Sequence, residues 1–267
     1  MKSKKLLYPY LIWMMIFVLV PLAMVVYYSF TDKNGVFTFD NFKYIVKYAD
    51  VYLESLEIAF LTTVICLILA YPLALIMSRM KISTQRMVNM LIMLPMWMNF
   101  ILRICAWMVL LDSNGIINRV LSFIGLGPYN MLYTRGAIVV GMVYNFLPFM
   151  VLPLYTVISK IDNSLIEAGQ DLGCSGFNIL RKIVFPLSIP GIITGITMVF
   201  VPSASTFIVS QRLGGYNLIG DTIEQYYVGT SPNMNIGSTL ALALMIIILI
   251  STAIMNHFDK DDDIVLM

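Results

Sequence analysis

Charged residues are scarce in this sequence. Of its 267 residues, 12% are Asp, Glu, Lys or Arg and 59% are hydrophobic, and the mean hydropathy is +0.84. A soluble domain carries about twice that charged fraction, so too little polar surface remains here to cover a water-facing globule. The shortage excludes an ordinary soluble protein and indicates that lipid is the solvent for much of the chain.

Cysteine and histidine are also rare. Cys66, Cys105 and Cys174 are odd in number and widely spaced, and the single histidine is His257. We therefore expect free thiols rather than a disulfide framework, and no metal site of the zinc or haem type. No run of lysine and arginine is long enough to indicate nucleic-acid binding. The sequence also lacks the Gly-x-x-x-x-Gly-Lys-Ser/Thr loop, so we expect no enzyme here and place any ATP hydrolysis on another chain.

Six apolar stretches reach the roughly 20 residues that a helix needs to cross a membrane. They comprise, approximately, residues 8–30, 58–77, 88–111, 137–158, 189–209 and 238–255. The first follows a basic N-terminus without a clear small-residue cleavage site, so we interpret it as an uncleaved spanning helix. Pro190 and Pro202 interrupt the fifth stretch and predict a broken or kinked helix. We expect residues 1–267 to form a single all-α membrane domain with six transmembrane helices.

The basic residues favour one orientation of these spans. With the N-terminus inside, the inner segments hold ten Lys and Arg and the outer loops hold six, while Arg103 lies within the third stretch. Because Lys and Arg are enriched in cytoplasmic loops, both termini are predicted to be cytoplasmic, and so is the loop formed by residues 159–188.

This inner loop carries the most informative pattern. Ser164 and Glu167 have the spacing of a capping box, which predicts that a short helix begins there. One helical face then carries two leucines around two small residues, namely Leu165, Ala168, Gly169 and Leu172. Such a face allows another surface to approach the backbone closely. Gly173 is expected to end the helix, and Pro186 to mark a further break before the fifth span.

The same loop resembles the EAA loop of binding-protein-dependent ABC importer permeases. The family pattern is Glu-Ala-Ala, three residues, Gly, nine residues and Ile-x-Leu-Pro, and the matching positions here are Glu167, Ala168, Gly169, Gly173, Ile183 and Pro186. Gly169 and Phe185 depart from the pattern but keep its small and apolar character. The resemblance implies the type I (MetI-like) permease fold and a coupling helix, preceded by Ser164, that sits in a groove of a cytoplasmic ATPase.

Other segments extend this resemblance. Residues 94–103, 147–155, 167–173 and 214–220 are most similar to the spermidine/putrescine permeases of the B type. The resemblance implies an ATP-driven importer of polyamines in a bacterial cell membrane. It further implies a second, related permease, an extracytoplasmic polyamine-binding protein, and two ATPase subunits that hold ATP and Mg, with no cofactor on this chain.

Several side chains are candidates for the substrate pathway. Arg103 near a helix centre costs about 2.5–3.5 kcal/mol to insert, so it needs a partner or a cavity, and Asn99 lies four residues before it on the same face. A cationic substrate would be repelled by Arg103, which should therefore point away from the pore or pair with a carboxylate. Polyamines favour carboxylates and aromatic faces, and the other candidates are Trp97, Tyr144, Asp221 and Glu224. The acidic pair is expected in an outer loop, either at the docking site of the binding protein or as a plain solvated surface.

Two other functions stay open at this point. An ion-coupled secondary transporter would need intramembrane carboxylates and usually carries repeats, and these spans hold no secure central Asp or Glu. An ABC permease for another small solute would share the same inner loop. An intramembrane enzyme would need a catalytic constellation at membrane depth, for which one terminal histidine and no paired intramembrane carboxylates leave no candidates.

Overall fold

The computed structural model describes the backbone of residues 4–263 and the side chains of residues 9–255. The helices in chain order are α1 Lys4–Met14, α2 Val20–Ser29, α3 Lys43–Lys47, α4 Ala49–Ser78, α5 Ile82–Met93, α6 Phe100–Leu111, α7 Ile116–Phe123, α8 Arg135–Ile158, α9 Asn163–Asp171, α10 Gly176–Ile179, α11 Phe185–Ser205, α12 Ile219–Val228 and α13 Met234–Asp263. The side chains of Lys2, Lys4, Lys5 and of the tail beyond residue 255 lie outside this description.

Six helical stretches are long and apolar enough to cross a membrane. They are Pro9–Ser29, Ala49–Ser78, Phe100–Phe123, Arg135–Ile158, Gly176–Ser205 and Met234–Met255. Each overlaps one of the six stretches predicted from the sequence. Because successive spans alternate in direction, α9 lies at one end of the bundle and α12 at the other, and these are called the α9 end and the α12 end below.

The third predicted stretch, residues 88–111, is wrong as a single helix. α5 ends at Met93, a 3-10 turn follows at Leu94–Trp97, and Met98 and Asn99 are extended before α6 begins. Pro95 explains the interruption, since its ring fixes φ and removes the N–H that an α-helix would use. The membrane-length stretch here is instead Phe100–Phe123, which α6 and α7 form with a turn between them.

The centre of the bundle is formed by α4, α8 and α11. Met142, Met150 and Leu154 of α8 are fully buried in it. α11 approaches α8 closely at Gly191 and Gly195, where an added Cβ would lie 3.1 Å from the Pro153 carbonyl oxygen and 2.6 Å from Met150 Sδ, respectively. In lipid, helices associate through such van der Waals packing of small residues rather than through a hydrophobic drive. α13 packs beside this centre, against α2, α11 and α12.

Of the two alternatives expected for the fifth span, a break or a kink, the break is wrong. Residues 176–205 are continuously helical, with a π turn at Leu180–Val184 between α10 and α11. Pro186 lies at the N-terminal end of α11, and Pro190 and Pro202 lie inside it. Proline is tolerated at the start of an α-helix, and the wider π turn directly before α11 carries the chain from α10 into α11. The fifth span is therefore joined by helix to the segment that follows α9.

Candidate functional site

The predicted coupling segment is a real helix with a different start. α9 runs from Asn163 to Asp171, and the Asp162 side chain accepts a hydrogen bond from the Ser164 backbone N–H at 3.0 Å. The capping box at Ser164 is therefore wrong, because Asp162 is the N-cap and Ser164 is already inside the helix. The hydrogen bond from Ser164 holds the pKa of the Asp162 carboxyl below its ordinary value. A charged cap of this kind also suits the positive end of the helix dipole.

Gly173 ends the helix, as the sequence predicts. Its φ of +74° is left-handed, a conformation that glycine adopts without steric penalty. The Cys174 N–H donates to the Gly169 carbonyl oxygen at 3.0 Å, and the Gly173 N–H donates to that of Gln170 at 2.8 Å. These two bonds form a Schellman motif, so both ends of α9 are capped by the chain itself.

One side of α9 packs on the protein's own core. Ile166 and Gly169 are buried, and a Cβ added at Gly169 would lie 2.9 Å from Ile183 Cδ1 and 3.4 Å from Ile179 Cγ1. The expectation that Gly169 belongs to the docking face is therefore wrong. Its missing side chain admits the two isoleucines of the following helical segment, which fixes α9 against the base of the fifth span.

The opposite side of α9 is apolar and uncovered. Leu172 is 84% exposed and Leu165 is 46% exposed, and Ala168 lies exposed between them, next to Glu167. Leucines left in water on a capped and anchored helix are unfavourable unless a partner surface covers them. The arrangement therefore combines a small apolar contact surface with an attachment to Ile179 and Ile183 at the base of the fifth span.

The pathway candidates on the third span lie around the break between α5 and α6. Trp97 is 77% exposed, and the Asn99 side chain caps α6 by accepting from the backbone N–H groups of Ile101 and Leu102. Asn99 therefore already has a structural use. Trp107, two turns into α6, packs edge to face on Tyr144 of α8 with ring centroids 5.4 Å apart.

Arg103 is buried on α6 with only 9% of its surface exposed. Its guanidinium lies over the Phe100 ring at 5.6 Å, and its Nε has no hydrogen-bond partner. Within the described part of the chain, no carboxylate lies within 4.0 Å of it. The carboxylate partner considered from the sequence is therefore not supplied by these residues.

Asp221 is not a solvated residue of an outer loop, and that expectation is wrong. It is fully buried, and its carboxylate accepts from Ile208 N at 2.7 Å, from Leu218 N at 2.9 Å and from the Ser210 hydroxyl. Ile208 has a φ of +75°, which is strained for a β-branched residue. Asp221 thus joins the start of α12 to the irregular segment after α11 and holds that segment in place.

Glu224 lies one turn after Asp221 and is half-buried. It lines an apolar cleft of about 440 Å³ between α12 and α13, together with Phe207 and Leu244. The two acidic candidates are therefore near each other in the chain but differ in surroundings. The structure brings Trp97, Asn99 and Arg103 together around one helix start, and it leaves Asp221 and Glu224 in a separate group at the α12 end.

The residues that fix α9 to the bundle were not predicted from the sequence. Asp162 was not identified as the cap, although an aspartate directly before a helical pattern is a common start signal. Ile179 and Ile183 were not identified as its seat, and Ile166 of α9 was not identified as part of the packed side, although it lies three residues before Gly169 on one helical side. Among the described residues, no group of three or more His, Cys, Asp or Glu side chains is arranged to hold a metal ion.

A bundle of six membrane-length apolar helices with a short capped helix on a loop at one end defines a multi-span membrane protein. Residues 67–261 match the family described as binding-protein-dependent transport system inner membrane component. The chain belongs to this family and is a transmembrane permease of an ABC importer.

Two bacterial permease proteins are similar in sequence to this chain over most of its length. It is 35% identical over 247 residues to the spermidine/putrescine transport system permease protein PotB of Haemophilus influenzae, covering 88% of this chain and 86% of that protein. It is 33% identical over 253 residues to PotB of Escherichia coli, covering 88% and 92%.

Solved structures share the fold at low identity. A bacterial alginate ABC transporter in complex with an alginate pentasaccharide-bound periplasmic protein matches with a TM-score of 0.79 at 17% identity, covering 97% of this chain and 93% of that chain. The inward-facing MetNI methionine ABC transporter matches with a TM-score of 0.61 at 18% identity, covering 80% and 95%. These matches establish the type I, MetI-like permease fold.

Proposed function

We propose that this chain is one permease subunit of an importer that moves polyamines, spermidine or putrescine, into a bacterial cell. The observation that carries the coupling part of this proposal is α9, a helix capped at both ends with Leu165 and Leu172 exposed on one side. The polyamine part is supported by the names of the relatives that are about one-third identical over 88% of the chain.

The proposed orientation places the α9 end and both termini in the cytoplasm. It is supported by the excess of lysine and arginine in the segments at that end, including Lys160, Arg181 and Lys182. The proposed partners are a second, homologous permease, two cytoplasmic ATPase subunits that hold ATP and Mg, and an extracytoplasmic polyamine-binding protein. In this arrangement the α12 end faces the binding protein.

The proposed mechanism depends on how α9 is attached. When the ATPase subunits close on ATP, α9 moves with the groove that holds Leu165 and Leu172. Because Gly169 seats α9 on Ile179 and Ile183, and because helix continues from there into α11, the displacement reaches the fifth span. ATP can shift the permease between inward- and outward-facing states only through a difference in affinity for the two states.

The proposed pathway uses the break between α5 and α6, where Trp97 offers an exposed aromatic face to a cation. Asn99 and Arg103 then act mainly in shaping this break, since Asn99 caps α6 and Arg103 packs on Phe100. Glu224 is the proposed carboxylate at the α12 end. Asp221 is left out, because its oxygens already accept three hydrogen bonds.

The coupling role is tested by placing a charge on the exposed face of α9. Leu172→Asp should remove about 2 kcal/mol of leucine burial in the ATPase groove, which weakens association about thirtyfold. The matched control is Gln170→Asp, an exposed position on another side of the same helix turn. Co-purification of the ATPase and uptake-linked ATP hydrolysis should fall for the first variant only. Equal behaviour of the two variants would contradict docking through this face.

The transported solute is tested separately. Cells that express the complete transporter should accumulate labelled spermidine or putrescine, and unlabelled polyamine should compete with that uptake. The second candidate is a permease for another small solute, favoured by the fact that the same fold serves alginate and methionine transporters. Uptake that no polyamine competes for, in a complex with intact ATPase docking, would select this candidate. Membership of the ABC importer family decides against the ion-coupled alternative.

A further inference from the structure

The segment between the first two spans exposes a cluster of large apolar side chains. We call residues 30–42 the aromatic loop. Phe37 and Phe39 pack edge to face with centroids 5.1 Å apart, and Phe30 and Phe42 complete the cluster with centroids 5.1 Å apart. Phe37 is nevertheless 64% exposed and Phe39 63% exposed, and Val36 beside them is also exposed. Rings that already pack on one another thus leave most of their surface uncovered.

The aromatic loop is held rigidly by the rest of the protein. The buried Asn41 side chain donates to the backbone oxygens of Ser29 and Thr31 at 3.2 and 2.9 Å. The buried Asn235 side chain of α13 donates to the Thr31 oxygen at 2.6 Å. Within the loop, Thr38 N donates to the Phe30 oxygen at 2.9 Å. The exposed rings are therefore presented at a fixed place by two buried amides.

The position of the aromatic loop relative to the membrane follows from its neighbours. It begins directly after the spanning stretch Pro9–Ser29, and the next spanning stretch begins at Ala49. A segment that joins two spans in this way must lie at the membrane surface. Its charged side chains are Asp32, Lys33 and Asp40, and Asp40 pairs at 2.6 Å with Lys43, the first residue of α3. Lysines beside aromatic rings suit the headgroup level, where the ring enters the apolar boundary and the ammonium remains in water.

We propose that the aromatic loop is an interfacial anchor whose occupant is the lipid bilayer itself, with Phe37 and Phe39 inserted at the boundary between headgroups and acyl chains. Continuity with the span that ends at Ser29 favours lipid over a protein partner, because the rings extend the apolar surface of a stretch with no buried residues in its most apolar window. The anchor fixes the depth at which the first span enters the bilayer. This inference does not depend on the transported solute or on which end is cytoplasmic.

The test measures the depth of nitroxide labels in reconstituted transporter. The native cysteines are first replaced (Cys66→Ala, Cys105→Ser and Cys174→Ser), and single cysteines are then introduced at Phe37 or Phe39. The matched controls are Lys33→Cys and Asn34→Cys in the same turn, which are polar and exposed. In vesicles of phosphatidylethanolamine and phosphatidylglycerol, labels at 37 and 39 should collide several-fold more with oxygen, relative to a water-soluble nickel chelate, than labels at 33 and 34.

Two results would overturn the proposal. Ready access of the nickel chelate to positions 37 and 39 would place the rings in water. A label at 37 shielded from both reagents would place the rings against protein. If Phe37→Cys prevents assembly, Val36→Cys reports on the same face, and retained transport shows that each labelled protein is folded.

Discussion

Replacement of the buried Asp221 by alanine should destabilise the α12 end. The change leaves two backbone N–H groups, of Ile208 and Leu218, and one hydroxyl, of Ser210, without their acceptor. A buried donor without a partner costs about 1–3 kcal/mol, and the hydroxyl can rotate toward another acceptor. The two amides alone therefore amount to about 2–6 kcal/mol.

The strain at Ile208 reduces this loss. Its φ of +75° corresponds to about 1–3 kcal/mol that is released when the segment relaxes. The net destabilisation expected for Asp221→Ala is therefore about 2 kcal/mol. Because each 1 kcal/mol lowers the Tm of a protein of this size by about 2–4 °C, the purified permease should unfold roughly 4–8 °C earlier. Residues 206–218 should also become the preferred site of limited proteolysis.

Asp50→Ala provides the control, because Asp50 is an exposed carboxylate at the same end of the bundle. Its Tm should stay near that of the unmodified protein. If Asp221→Ala instead showed a normal Tm and normal proteolysis but no transport, the reasoning about Asp221 would be refuted. Asp221 would then act on substrate or on a docked protein, as the sequence alone suggested, and the hydrogen bonds at the α12 end would carry little energy.

Three further predictions concern α9 and α11. Gly169→Val should weaken the seat of α9, because even the first added carbon lies 2.9 Å from Ile183 Cδ1, and ATP hydrolysis should become less dependent on transport. Asp162→Ala should increase proteolysis of α9. Because the pKa of Asp162 is lowered, the stabilisation by this cap is fully present above the ordinary aspartate pKa and is lost as pH falls through the lowered pKa. Asp162→Asn should abolish this pH dependence, because its side chain does not titrate. Gly191→Val should lower the Tm, because a Cβ there already lies 3.1 Å from Val157 Cβ.

Glycines without close neighbours serve as controls for these changes. Gly176 has no atom within 4 Å of an added Cβ, and Gly136 has only the Thr134 hydroxyl oxygen at 3.7 Å. Gly176→Ala should leave coupling unchanged, and Gly136→Ala should leave the Tm unchanged. If either control were as damaging as Gly169→Val or Gly191→Val, the effect would come from lost backbone freedom and not from packing.

The spans were predictable because lipid imposes a simple condition on sequence. A stretch of about 20 apolar residues is required wherever a helix crosses the membrane, and this condition is readable without knowledge of packing. The break after Met93 was misjudged because residues on both sides of Pro95 remain apolar, so hydropathy continues where backbone geometry does not. Pro190 and Pro202 show the converse, since α11 includes both prolines without ending.

The site was less predictable because it depends on contacts between distant segments. The pattern from Glu167 to Pro186 located α9, but only the packing of Ile179 and Ile183 reveals which side of the helix is free. Asp221 resembled a surface carboxylate, because its acceptor role depends on Ile208 and Ser210, which meet it only after the chain turns at the end of α11. Local sequence therefore identified the segment, and tertiary structure decided how each side chain in it is used.

The unbroken helical run from residue 176 to residue 205 has a geometric consequence. At 1.5 Å per residue, these 30 residues form a rod about 45 Å long, which exceeds the thickness of the bilayer's hydrocarbon core, about 30 Å. If a rod of this length tilted by about ten degrees around its α9 end, its α12 end would move sideways by about 8 Å. In the proposed mechanism, a small rocking of the α9 seat would thus be amplified into a displacement wide enough to admit or exclude a slender molecule at the α12 end.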